Sequence, residues 1–312
     1  MKARIFPTCT ICIRNTPTAF RCKRFSNGSK PLLKLADQNC DVPFVHDGIT
    51  PLPGGLRGSV MLLGSFDGMH RGHTALLEVG LDQARRRGVP LSILQCDPHP
   101  RAFFGGPSRF RVSTGAAQLK LLAAAGIDLV YAPHFDAGFA ATSPEDFILR
   151  LLLDGLGVTG VVTGRDFRFG HRRTGDVAFI EALTKQMPFT LAVVGDEMER
   201  GCRISTSSVR TAITAGDIGT ATQLLGHRWL TQVNPTGGGR WQFSPDQILP
   251  PPGRWQVTAL NLAGNCLADC DLLLDPAGFA QMAAPGGTAI VEWRSGPSRH
   301  MTSNPKSSDT YV

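Results

Sequence analysis

The chain has 312 residues, 42% of them hydrophobic and 18% charged, with a formal net charge of +7. That length suffices for a large domain and a smaller one, each with its own core, and the composition is that of an ordinary globular protein. No apolar run approaches the about 18 residues needed to cross a bilayer, so no membrane partner is expected.

The positive charge sits at the start of the chain. Residues 1–36 contain Lys2, Arg4, Arg14, Arg21, Lys23, Arg24, Lys30 and Lys34, and neither Asp nor Glu. Beyond them basic and acidic residues nearly balance. The later aromatics do not interleave with Lys and Arg as a strand-binding platform requires, so nucleic acid is not an expected partner. The leader is Arg-rich and acid-free, as transit peptides are, but its apolar residues show no helical period. Residues 1–45 are therefore expected to form a basic, disordered N-terminal extension. The expected location is cytoplasmic, with an organellar one the alternative if residues 1–36 are a transit peptide. Cys9 and Cys12 have metal-ligand spacing but lack a second pair at zinc distance, so no protein-held metal is expected.

From residue 58 short apolar runs alternate with longer stretches of 3.6-residue period. Residues 59–63 read as a strand and 72–87 as a helix with Leu76, Leu77, Leu81 and Ala84 on one face. A strand at 91–95, a helix at 116–125 and a strand at 129–132 follow. Ser143 caps and Pro144 opens the next helix, which runs through Leu153 with Asp146 in the capping-box position. A strand at 158–163, a helix at 176–186, a strand at 190–194 and short helices at 207–215 and 218–225 complete the series. Alternation of this kind predicts an α/β fold: a Rossmann-like parallel sheet with helices on both faces and ligands bound beyond the carboxyl ends of the strands.

After residue 228 the texture changes. Pro235, Gly237-Gly238-Gly239 and Pro250-Pro251-Pro252 precede strand-like runs at 255–260, 272–274 and 288–293. The expected organisation is a Rossmann-like domain over 58–230, a small β unit over 231–294 and a disordered tail over 295–312.

The strongest chemical signal follows the first strand: Gly64-Ser65-Phe66-Asp67-Gly68-Met69-His70-Arg71-Gly72-His73. Backbone N–H groups at a helix start attract phosphate, and glycine lets the chain approach it closely. His70 and His73 lie one helical turn apart and can face the same bound group. An imidazole pair with an anion-binding turn suits a triphosphate attacked at its α-phosphorus, where catalysis is positioning plus neutralisation of developing charge. The Walker and dinucleotide glycine fingerprints are absent from this turn. A second signal is Arg203-Ile204-Ser205-Thr206-Ser207-Ser208-Val209-Arg210, again at a helix start. Its hydroxyls and the forked Arg210 cation suit phosphate oxygens.

Several stretches, in order, resemble the FAD synthetase module of the bacterial bifunctional riboflavin kinase/FMN adenylyltransferase family, within the HxGH nucleotidyltransferase superfamily. Gly64–His73 is similar to G-N-F-D-G-V-H-x-G-H, with Ser65 for the usual Asn. Asp97-Pro98-His99-Pro100-Arg101 with Phe103 and Phe104 resembles x-P-H-P-R-x-x-F. Gly164-Arg165-Asp166-Phe167-Arg168-Phe169-Gly170, Arg173 and Gly175-Asp176 resemble G-x-D-F-R-F-G-x-x-R-x-G-D. Residues 205–210 resemble S-S-T-x-I-R, and Leu224-Leu225-Gly226-His227 the end of the module. The resemblance covers about residues 58–230.

The resemblance implies transfer of AMP from Mg-ATP to FMN, giving FAD and pyrophosphate, with FMN and ATP as substrates and Mg2+ accompanying ATP. It implies that His70, His73, Ser207 and Arg210 are catalytic, and that Gly64, Phe66, Asp67, Gly72, Asp166, Arg203 and Ser205 hold ATP. Pro98, His99, Pro100, Phe103 and Phe104 would surround the flavin. His99, set between prolines, reads by itself as structural. In the family a flavokinase barrel follows, with a G-F-P-T-A-N stretch. Here Gln242-Phe243-Ser244-Pro245-Asp246-Gln247-Ile248 takes its place, and Pro245 lacks the hydroxyl that would ligate magnesium. The β unit is therefore expected to be about half of such a barrel and riboflavin kinase activity to be absent. The alternatives are an inactive flavin or nucleotide sensor and a nucleotidyltransferase acting on another phosphate ester.

Overall fold

A computed structural model describes residues 42–195, 198–199 and 202–294, with backbone alone at 198–199 and 202–203. Six strands, β1 (Phe44–His46), β2 (Val60–Leu63), β3 (Leu91–Leu94), β4 (Leu129–Tyr131), β5 (Gly160–Gly164) and β6 (Thr190–Val194), form one sheet. Their order is β1-β4-β3-β2-β5-β6, and every pairing is parallel. Strand β2 is buried along its whole length because both faces of the sheet are covered. Its alternate residues serve different cores: Val60 and Leu62 pack with Ile93, Leu121 and Leu122, whereas Met61 and Leu63 pack with Val161, Ile148 and Leu152.

The helices are α1 (Thr74–Arg87), α2 (Pro100–Phe103), α3 (Gly115–Ala124), α4 (Ala137–Ala140), α5 (Pro144–Asp146), α6 (Val177–Thr184), α7 (Thr206–Thr214) and α8 (Ile218–Leu225). Helix α1 stops at Gly88, whose φ of 65° is the left-handed conformation that glycine supplies freely. Ser143 caps α5 as expected, accepting from the Asp146 N–H, and the chain continues as a π-helical stretch over Phe147–Gly155. A short antiparallel pair, β7 (Met198–Glu199) and β8 (Cys202–Arg203), precedes α7.

The remaining strands are β9 (Leu230–Gln232), β10 (Asn234–Gly237), β11 (Arg240–Gln242), β12 (Gly253–Leu260), β13 (Cys266–Leu274), β14 (Phe279–Gln281) and β15 (Ile290–Trp293). Their order is β10-β11-β14-β13-β12-β15-β9. The end strands β9 and β10 are consecutive segments separated by Val233 alone, so the sheet curls back on itself as a nearly closed barrel. This is more than the half barrel expected. Strands β10 and β11 carry Pro235 and flank the glycine run, which hides them in the sequence. Trp229 and Trp293 stack at 4.8 Å in a core that also takes Val209, Ile213, Ile218 and Leu225 from α7 and α8. Leu230, Leu260 and Ile290 of the barrel join the core of the parallel sheet, so packing continues across residue 230.

One correction concerns the start. Strand β1 begins at Phe44, inside the stretch expected to be disordered through residue 45, because its backbone pairs with Leu129–Tyr131. Residues 1–41, with Cys9, Cys12, Cys22 and Cys40, and the tail 295–312 lie outside the described residues.

Candidate active site

In the parallel sheet the strand order reverses between β2 and β5, so their carboxyl ends diverge and leave a crevice. A cleft of about 1150 Å3 opens there, walled by the 64–73 loop after β2 and the 164–170 loop after β5. Of the residues expected at the site, Gly64, Phe66, Asp67, His70, Gly72, His73, His99, Pro100, Phe103, Phe104, Asp166 and Ser205 line it. Pro98, Ser207 and Arg210 do not. Arg203 lies on β8, and its side chain is outside the described residues.

The histidine pair is compact. The rings of His70 and His73 stack with centroids 3.8 Å apart, and Phe66 lies against His73 at 4.9 Å. His73 Nε2 donates to the Ser65 carbonyl at 2.8 Å, which fixes its tautomer. Burial, then the neighbouring His70, holds the His73 imidazole well below the usual histidine range, so it is neutral in the free protein. His70 Nε2 lies 3.2 Å from Thr206 Oγ1, which joins the first motif to the second across the cleft. Gly72 makes that approach possible: a Cβ there would stand 2.7 Å from the Ile204 carbonyl oxygen. Within the first motif Met69 holds φ at 50°, a left-handed value that costs a non-glycine residue and concentrates at functional sites.

Asp67 and Arg210 are bonded to each other. Asp67 is buried, and its carboxylate accepts the N–H groups of Val112 at 2.8 Å and Ser113 at 3.1 Å. Arg210 Nη2 pairs with its other oxygen at 3.0 Å, and Arg210 Nε donates to the Phe110 carbonyl at 2.5 Å. The guanidinium is thus spent on a buried side-chain anion. Ser205 caps α7 by accepting from the Ser208 N–H at 3.2 Å, and Ser207 is exposed and does not line the cleft.

The far end is aromatic and basic. Phe103 and Phe104, 40% and 71% exposed, meet Phe135 edge-on at 5.3 and 5.9 Å. Such exposure of large rings inside a cleft marks a binding surface for a flat apolar group. His99 caps α2, its Nδ1 accepting from the Arg101 N–H at 3.0 Å. Arg101, Arg111, Arg168, Arg172 and Arg173 line the same cleft, and Arg172 and Arg173 both adopt left-handed φ values of 52° and 60°. Parallel-strand ends, imidazoles, a helix mouth, arginines and an aromatic wall together suit a phosphorylated aromatic ligand beside a nucleotide.

A family model described as FAD synthetase matches residues 53–208. The chain belongs to the FAD synthetase family. Its matched span holds all the cleft elements from the 64–73 loop to the mouth of α7. A bifunctional riboflavin kinase/FMN adenylyltransferase of Escherichia coli (strain K12) is 35% identical over 171 residues, covering 54% of this chain and 55% of that protein. One from Pseudomonas fluorescens is 36% identical over 173 residues, with 54% and 55% covered. The chain spans about half the length of these curated relatives. A crystal structure of a macrolide-efflux protein from Streptococcus pneumoniae superposes with a TM-score of 0.64 at 20% identity, covering 81% of this chain and 88% of that one, and bears on the fold alone.

Within the FAD synthetase fold, residues that sequence reasoning passed over also build the site. Gln118 of α3 donates to the Phe66 carbonyl at 2.7 Å and so pins the glycine turn. Phe135 and Phe139 extend the aromatic wall. The one local clue was the Phe-rich texture at 135–139 beside the Phe103-Phe104 pair.

Proposed function

We propose that this member of the FAD synthetase family is an FMN adenylyltransferase, joining AMP from Mg-ATP to FMN. One observation carries the reading: the His70–His73 stack meets Thr206 at the mouth of α7 in a cleft whose other end is a wall of exposed phenylalanines. A phosphate oxygen of FMN attacks the α-phosphorus of ATP. The new P–O bond forms as the bond to the bridging oxygen breaks, and pyrophosphate leaves. Bound triphosphate favours the protonated form of His73, and with His70 stacked beside it the pair faces the phosphoryl oxygens on which charge develops. Ser205 and Thr206 hold phosphate at the helix mouth with Gly64 and Gly72 giving backbone access. Phe103 and Phe104 cover the isoalloxazine, Asp166 orients the nucleotide, and Arg203 stands near the phosphates. Arg210 acts through Asp67 rather than on ATP directly.

Among the described residues no group of His, Cys, Asp and Glu could by itself hold a metal ion. Mg2+ is accordingly proposed to come with the triphosphate, as it commonly does, and to help neutralise its charge. Riboflavin kinase activity is proposed to be absent, because Pro245 and a buried Gln247 occupy the positions of the family's Thr and Asn. The test incubates the protein with Mg-ATP and either FMN or riboflavin and resolves the flavins. FAD from FMN, with no FMN from riboflavin, is the expected result. No FAD from FMN would refute the activity, and FMN from riboflavin would refute the kinase loss.

A further inference from the structure

The segment 109–118 runs between the cleft and the barrel and is bonded to both. On the cleft side Asp67 holds the Val112 and Ser113 N–H groups, and Arg111 lines the wall with a side chain 15% exposed. Arg111 Nη1 reaches Asp246 only at 3.7 Å, and its buried Nε has no hydrogen-bond partner among the described residues. The guanidinium is therefore short of acceptors, and a substrate phosphate would supply them.

On the barrel side the stitches are continuous. The N–H groups of Phe110 and Arg111 donate to the Asp246 carbonyl at 2.9 and 2.8 Å, and the Ile248 N–H returns to the Arg111 carbonyl at 2.8 Å. Trp229 Nε1 donates to the Val112 carbonyl at 2.6 Å, and Ser113 Oγ to that of Leu230 at 3.0 Å. At the centre is Gln247, wholly buried. Its Nε2 shares two N–H groups among the carbonyls of Arg111 at 3.1 Å, Val112 at 2.9 Å and Ile248 at 3.1 Å, while its Oε1 accepts from Thr114 Oγ1 at 3.0 Å. A buried amide satisfied at both ends fixes the backbone around it, since any shift strands polar groups away from water. Gly68 removes the remaining slack: a Cβ there would stand 2.5 Å from Val112 Cγ1.

We propose, resting on the adenylyl-transfer reading, that the barrel serves as a brace of the cleft and that Gln247 is a positioning residue. It locks the 110–114 backbone and through it sets Arg111 against the substrate phosphates and holds the Asp67–Arg210 pair in place. The residue that stands where a kinase side chain belongs has thus been turned to the transferase site.

Gln247→Met keeps the shape and removes the hydrogen bonds. Hydrogen exchange should speed up at the Val112 and Ser113 amides by about tenfold or more and stay unchanged at the amides of β2, a local pattern that general destabilisation does not give. The kcat/KM for FMN adenylylation should fall by about ten- to hundredfold, the scale of a misplaced charge. In an Arg111→Gln background the same change should cause little further loss. Thr114→Val, isosteric and milder, covers the case in which Gln247→Met does not fold, with about fivefold faster exchange at the same amides. Unchanged exchange at Val112 and Ser113 in the folded variants overturns the brace. Faster exchange with wild-type kcat/KM overturns the positioning role, as do fully additive losses with Arg111→Gln. If the wild type makes no FAD, the activity reading falls separately and the brace is judged on exchange alone.

Discussion

The Asp67–Arg210 pair gives the sharpest quantitative test. Asp67→Asn keeps the side chain's shape and leaves one oxygen for the Val112 and Ser113 N–H groups, but it turns an amide N–H toward Arg210 Nη2. A buried cation then loses its counter-charge. Removing one member of a buried pair costs about 3–5 kcal/mol. With side chains 5% and 19% exposed, respectively, the pair belongs at the lower end, about 3 kcal/mol. At about 2–4 °C per kcal/mol for a chain of this size, Tm should fall by about 6–12 °C. Arg210→Gln should also destabilise, and the double variant Asp67→Asn, Arg210→Gln should lose clearly less than the two singles combined, because it removes both charges together. Calorimetry on the set measures this directly. An Asp67→Asn Tm within about 2 °C of wild type would refute the stabilising role of the pair. So would an Arg210→Gln protein of normal Tm whose only defect is a raised KM for ATP, since that pattern belongs to a guanidinium sitting on the triphosphate.

The remaining predictions concern the histidines. His73→Ala should lower kcat by about two orders of magnitude, the scale of losing a preorganised transition-state donor, with the Tm of each protein measured alongside; near-normal turnover would remove His73 from the chemistry. Stability should also depend on pH through the same ring. Burial lowers the folded His73 pKa well below 6.5, so between that lowered value and 6.5 the unfolded chain binds a proton that the folded chain refuses. Stability is full above the unfolded value and is lost as pH falls through the window, by up to about 1.4 kcal/mol per pH unit. His227 and His99, also lowered by burial, add to the slope with the same sign. A His73→Gln protein should therefore show a shallower fall in Tm between about pH 7 and pH 5.5 than the wild type. Equal slopes would show that His73 does not titrate in that range.

What could be read in the sequence was local, and what could not was set by distance along the chain. The parallel sheet announced itself through apolar runs such as Val60–Leu63, and the 64–73 turn through glycines and histidines ten residues or fewer apart. The contact of Thr206 with His70 was hidden because the two lie 136 positions apart, and Gln118 was passed over because it reaches Phe66 from 52 positions away. The barrel was half hidden because Pro235 and the glycine run interrupt the alternation that marks strands. Arg210 is the instructive case. Hydroxyls and a guanidinium at a helix start do attract an anion, and the fold supplies one at 3.0 Å, but it is the carboxylate of Asp67, 143 positions away. The same forked donor would serve a phosphate or a carboxylate equally well. Which anion it meets is decided by the turn after β2, which buries Asp67 beneath the 110–114 segment and so draws the cation inward, leaving the neighbouring hydroxyls of Ser205 and Thr206 to face the cleft.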